Sequence, residues 1–78
     1  MPTRRLPHIE DYRALGAGLR KLRETVGITQ AEAGERIGVR AQSISELERA
    51  ERGPSWHVLL ALLRAYGASL TDLDRAMG

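Results

Sequence analysis

The stretch QAEAGERIGVRAQSISELER, residues 30–49, has room for two short helices with a tight turn between them. Thr29, just ahead of it, opens a capping box with Glu32. The Thr hydroxyl and the Glu carboxylate each satisfy a backbone N–H that a first helical turn leaves free. This predicts a helix at about 30–37, ended by Gly38, which takes the left-handed conformation of a turn without a Cβ penalty. Beyond the turn, Ile44 and Leu47 lie three apart on a second helix, 41–50, surrounded by Arg, Gln, Ser and Glu. Gly34 falls where two such helices would cross, and a large side chain there would push them apart. Ile37, Val39, Ile44 and Leu47 are expected to form the apolar knot that fixes the crossing. Gln42, Ser43, Ser45, Glu46 and Arg49 are left pointing outward.

Working outward, Leu15, Leu19, Leu22 and Val26 fall at i, i+4, i+7 and i+11, one stripe of a helix at about 12–26. Asp11 is its expected N-cap and Gly27 its stop. On the other side Ser55 caps a helix at 56–66 with Leu59, Leu62, Leu63 and Tyr66 on its apolar side, and Ser69-Leu70-Thr71-Asp72 opens a short fifth helix carrying Leu70, Leu73 and Met77. Trp56 and Leu60 are assigned to the core. Gly16-Ala17-Gly18 has the look of a phosphate loop, but it lacks a preceding strand and lies inside an apolar helical stripe. No stretch alternates with period two and no Asn-Gly hairpin occurs. The expected fold is all-α: a compact five-helix domain over 11–78, preceded by a flexible N-terminal arm, 1–10.

Composition narrows the function. Seventy-eight residues allow one domain with a small core and exclude a dinucleotide-binding enzyme fold. With no cysteine there is neither a disulfide framework nor a thiolate zinc site. His8 and His57 are too isolated for a metal or a catalytic pair, and no activated nucleophile or carboxylate pair appears, so no cofactor, no metal and no enzymatic activity are expected. The apolar run Val58 to Leu63 is too short for a membrane span, and the first ten residues lack a secretion signal, which together point to the cytoplasm. The net charge is only +2, but residues 1–30 sum to +3 (six cations, three anions), 31–53 to −1 (four against five) and 54–78 to zero. A basic first third suits phosphate, though the total alone identifies no partner.

The two-helix unit is a helix-turn-helix, with 41–50 as the helix for the major groove of DNA. At these residues the sequence closely resembles the phage repressor/Cro (XRE) family, whose fold is lambda-repressor-like. The resemblance runs over about 15–74, through LRKLRETVGITQ, AEAGERIGVRAQSISELER and GPSWHVLLALLRAYGASLTDL. It implies that Gln30 hydrogen-bonds a DNA phosphate at a helix N-terminus. It implies that Arg40, Ala41, Gln42, Ser45 and Glu46 face base edges, with Ser43 nearer the backbone and Arg49 on the same surface. Gln42 is the foremost of these, since Gln pairs bidentately with adenine. Arg23 and Glu48 match a salt bridge characteristic of the family.

The sequence departs from the pattern in several places. Ala33 replaces the usual Leu, and Gly34 the usual Ala, which weakens the helix by about 1 kcal/mol. Trp56 and Tyr66 are expected to fill the lost volume. Arg40 replaces a Ser or Thr cap. Ala50 stands where a Gly is usual, and Gly53 is expected to take over that turn.

The resemblance implies a sequence-specific double-stranded DNA-binding protein, a transcriptional regulator repressing by site occupancy. It would act as a homodimer on a palindromic operator, joined through the fifth helix and the loop before it. The other reading is a protein-interaction module, such as the antitoxin of a toxin–antitoxin pair or a coactivator-like adaptor. In that case Leu6, Pro7 and Ile9 would grip the partner. Arg4 and Arg5 are candidates for a minor-groove arm.

Overall fold

The computed structural model describes residues 9–78, with side chains from Asp11 onward. Among these residues there are five helices and no strand: α1 (Ile9–Val26), α2 (Gln30–Ile37), α3 (Ala41–Glu48), α4 (Trp56–Tyr66) and α5 (Leu70–Ala76). The expectations placed on Arg4, Arg5, Leu6, Pro7 and His8 lie outside the described residues.

Local chemistry sets most of the boundaries. Thr29 accepts from the Glu32 N–H while the Glu32 carboxylate accepts from the Thr29 N–H, completing the capping box of α2. The Thr29 backbone N–H first, and the Thr29 hydroxyl second, hold the Glu32 carboxyl below its ordinary pKa. Ser69 and Asp72 repeat the device at α5, with the same effect on Asp72, and Ser55 accepts from the Val58 N–H to cap α4. Gly38 and Gly67 end α2 and α4 in the left-handed region, at φ 80° and 63°.

Two boundaries differ from expectation. Helix α1 begins at Ile9, so Asp11 lies in its first turn instead of capping it. There a carboxylate still complements the positive end of the helix dipole. Helix α3 ends at Glu48, not at residue 50. The Glu51 N–H reaches the Glu46 carbonyl and the Ala50 N–H the Leu47 carbonyl, the paired bonds of a Schellman motif. That motif needs a left-handed residue, and Ala50 supplies it at φ 59°. Gly53 does not take over the turn. It lies against the Tyr12 ring, where a Cβ would come within 2.7 Å of Tyr12 Cε1.

The core is a single cluster of Leu19, Ile28, Ala33, Ile44, Leu47, Leu62, Leu63, Tyr66 and Leu73, contributed by all five helices and the loop before α2. Leu15, Leu22, Ile37, Val39, Val58, Leu59 and Met77 pack around it. Tyr66 belongs to the cluster that also holds Ala33, whereas Trp56 is 59% exposed and fills no core volume. Its place in the first turn of α4 points its ring away from the bundle. Val26, at the far end of α1, is also exposed.

Glycine lets three helix pairs approach closely. A Cβ on Gly16 would stand 2.5 Å from the Leu47 carbonyl oxygen, and one on Gly34 2.5 Å from that of Val39. One on Gly18 would meet Met77 Cγ at 2.9 Å. Thus α1 rests on α3 through Gly16 and on α5 through Gly18, while α2 clasps the start of α3 through Gly34. The pair Gly16 and Gly18, set aside as a loop motif, is a packing surface. Gly34 is more than a weakened helix position: even the Ala usual in the family would press on backbone.

Candidate nucleic-acid interface

The site is built on α3 and on what holds it. Glu48, the last residue of α3, has a side chain only 3% exposed and accepts three hydrogen bonds. Arg23 of α1 donates Nε to Oε2 at 2.7 Å and Nη2 to Oε1 at 3.0 Å, a two-pronged contact. Its third nitrogen, Nη1, donates to the Ile28 carbonyl at 2.8 Å. Gln30 of α2 donates Nε2 to Glu48 Oε1 at 3.0 Å. One carboxylate therefore ties together α1, α2 and α3. The hydrogen bonds to Glu48 push the Arg23 pKa upward despite its burial. Tyr66 stands within the field of the same pair; burial first and the Glu48 charge second raise its phenol to about 12. Among the described residues its hydroxyl oxygen is buried without a hydrogen-bond partner.

The outward side of α3 is looser. Gln42, the second residue of α3 and exposed, donates Nε2 to Glu46 Oε2 at 3.4 Å. The other oxygen of Glu46 lies 3.7 Å from Arg52 Nε. Ser45 and Ala41 are half-buried, and Ser43 faces the rear, on the wall of a cleft of about 300 Å³ shared with Val39, Leu47, Arg52, Gly53, Pro54, Ser55 and Val58. Arg49 is exposed and paired with Glu51 at 2.8 Å. Arg40 is the N-cap of α3 yet makes no capping bond, and its exposed guanidinium has neither an ion pair nor a hydrogen bond among the described residues.

The residues anticipated for this surface thus divide into two sets. Arg40, Ala41, Gln42, Ser45, Glu46 and Arg49 lie along or beside the outward side of α3, whereas Gln30 and Ser43 are drawn toward the interior and the cleft. Arg52 was missed. Its position in a loop hides it from helical periodicity, and its approach to Glu46 has no local signal.

What such a surface can do follows from its chemistry. It offers hydrogen-bonding groups on a short helix, with the exposed Arg40 guanidinium at its N-terminal end. Among the described residues no group of three or more His, Cys, Asp or Glu is placed to hold a metal ion. No helix there is long and apolar enough to cross a membrane.

Comparison with known proteins places these features in context. The profile of a helix-turn-helix domain family matches residues 14–76. An HTH-type transcriptional regulator of Sinorhizobium fredii, y4dJ, is 39% identical over 64 residues, covering 81% of this chain and 83% of that protein. One from Archaeoglobus fulgidus is 33% identical over 55 residues, covering 70% of this chain and 79% of its own length. A propionyl-CoA carboxylase regulator of Cereibacter sphaeroides is 38% identical over 58 residues, but the match spans only 13% of that much longer protein. Among solved structures, the clp gene regulator ClgR of Corynebacterium glutamicum superposes with a TM-score of 0.80 at 35% identity, over 92% of this chain and 91% of that one. The restriction-modification controller protein C.AhdI of Aeromonas hydrophila gives the same TM-score at 26% identity, over 87% and 99%.

Proposed function

Because the chain belongs to the XRE-type helix-turn-helix family and is a DNA-binding transcription regulator, we propose that it represses by occupying a palindromic operator as a homodimer in the cytoplasm, with no catalytic step of its own. Helix α3 enters the major groove. Gln42, Ser45, Glu46 and Ala41 face base edges, Arg40 reaches a base edge or the adjoining phosphate, and Arg49 serves the backbone at their margin. Gln30 contributes its remaining amide N–H to a phosphate beside the N-terminus of α2. The observation that carries this reading is the contrast across α3: its inner face is locked to α1 and α2 through Glu48, while its outer face presents an unpaired Arg40 and an exposed Gln42.

One such helix reads only a few base pairs, so two copies are needed for a useful site. Half-site centres are expected about 34 Å apart, one turn of DNA. Helix α5 and the loop before it form the dimer surface, and Leu70, apolar and 49% exposed at the start of α5, supports that choice. Selection from random duplex DNA tests the reading. A single inverted repeat should emerge, and Gln42→Ala should lose it. A protein that stays monomeric at micromolar concentration on its best site would remove the dimer.

The second reading, an antitoxin-like module whose main contact is a protein partner, is favoured by the exposed Trp56 ring and by an α3 that contains no cation. Stable capture of a purified toxin, with no site enriched from random DNA, would decide for it.

A further inference from the structure

The eight residues of α3, AQSISELE, contain two anions and no cation, an unusual balance for a surface that meets polyphosphate. Glu48 is consumed internally, which leaves Glu46, 23% exposed, as the charge facing outward. This carboxylate is held from two sides. Gln42 Nε2, one turn earlier, donates to Oε2 at 3.4 Å, and Arg52 Nε approaches Oε1 at 3.7 Å. Arg52 belongs to the segment after α3 and edges the cleft behind it together with Val39, Leu47 and Val58, and its side chain, 65% exposed, approaches Glu46 across that edge.

The chemical result is a carboxylate presented beside an amide. With one amide N–H turned to Glu46, Gln42 keeps its second N–H and its carbonyl oxygen, beside the two carboxylate oxygens. In the major groove, cytosine N4 and adenine N6 are the amino donors, whereas guanine O6 and N7 and thymine O4 are acceptors. A carboxylate is matched by the first set and repelled by the second. We infer that Glu46, oriented by Gln42 and Arg52, is a specificity-determining residue that selects cytosine or adenine on the strand it faces, with Arg52 acting as a positioning residue. The inference rests on the proposal that α3 enters the major groove, and it adds the class of base read there. Arg52 spends its charge on Glu46 and not on a phosphate.

The test uses the full chain and a random duplex library, with wild type, Glu46→Gln, Arg52→Ala and Arg52→Lys compared. Thermal melting of each variant checks that it is folded. Wild type should fix cytosine or adenine at one base pair of each half-site by about tenfold or more over guanine or thymine. Glu46→Gln, which can donate as well as accept, should reduce that preference below about threefold at that pair alone, while binding to unrelated duplex strengthens because an anion has left the interface. Arg52→Ala should weaken the same preference and Arg52→Lys should restore it.

A Glu46→Gln variant that keeps the wild-type preference at every pair would overturn the inference, as would undiminished wild-type binding when the major-groove amino group at the preferred pair is replaced by hydrogen. If Arg52→Ala lowers the salt dependence by about one phosphate contact and leaves base preference intact, Arg52 is a phosphate ligand and its positioning role is wrong. A wild-type protein that enriches no site defeats the regulator reading itself, a result distinct from all of these.

Discussion

Glu46 and Glu48 are two residues apart on one helix, yet they live in different worlds. Two positions on an α-helix are about 200° of rotation, enough to send one carboxylate into the bundle and the other toward solvent. Glu48 accepts three hydrogen bonds and is 3% exposed; Glu46 has one long hydrogen bond, one loose ion pair and is 23% exposed. The first anion is part of what makes α3 rigid. The second is part of what α3 offers. Net charge counts them equally, and so obscures how much of the negative charge of residues 31–53 would meet DNA.

The sharpest way to break this contrast is to remove each carboxylate in turn. Glu48→Ala leaves the Arg23 guanidinium and the Gln30 amide without their partner in a buried setting, and should cost about 3 kcal/mol by urea unfolding. Glu46→Ala should cost less than about 0.5 kcal/mol, as exposed pairs do. Equal costs would mean that the two positions do not differ in kind.

Alkaline titration probes the same inner site. The Tyr66 phenol is raised from 10 to about 12 in the folded chain by burial and by Glu48, so folding favours its protonated form. Its contribution to stability is complete below pH 10 and is lost as the pH rises through 12. The loss should approach roughly 2 kcal/mol across that window, and Tyr66→Phe should flatten it. A wild type and a Tyr66→Phe variant with parallel stability curves from pH 9 to 12 would show that the phenol does not feel Glu48 or the core.

The turn after both carboxylates gives a smaller effect of opposite sign. Ala50 sits at φ 59°, where an L-residue costs about 1 kcal/mol, so Ala50→Gly should stabilise by about that amount without moving α3. Retention of operator affinity with the rise in stability is the expected pair of results. At the other end of α3, Arg40→Ser should add the missing N-cap and gain about 0.5 kcal/mol. It should also weaken DNA binding and lower the salt slope, because a free cation is lost. If affinity is untouched, Arg40 does not meet the backbone.

What could be read directly from sequence was local chemistry. Thr29 with Glu32 and the left-handed Gly38 need only their neighbours, and the structure has both. The five helices followed from apolar spacing for the same reason. What could not be read depended on distant partners. Apolar periodicity gave Val26 the same status as Leu19, because it records which side a residue is on and not whether another helix extends far enough to cover it. Trp56 was assigned to the core on its bulk, but the first turn of α4 projects past the bundle. Ala50 entered the left-handed region because the paired bonds that close α3 demand a turn there, whatever residue is present. At the interface, Gln30 was legible as the opening residue of α2, but its bond to Glu48 spans 18 positions and has no local signal. Arg52 was hidden likewise. Gly16 and Gly18 carry no periodic signal, since a missing side chain leaves no mark in a pattern of apolar residues.

The bond between Arg23 and Glu48 joins positions 25 apart and fastens the last residue of α3, where an eight-residue helix would ordinarily fray. Opening that end requires α1 to separate from the rest, and Gly16 sets α1 directly against the carbonyls of Leu47 and Glu48. The amides of α3 should therefore exchange with solvent deuterium only through unfolding of the whole domain, at one common rate set by global stability. So short a helix, with half of its residues turned outward, borrows its permanence from the longest helix among the described residues.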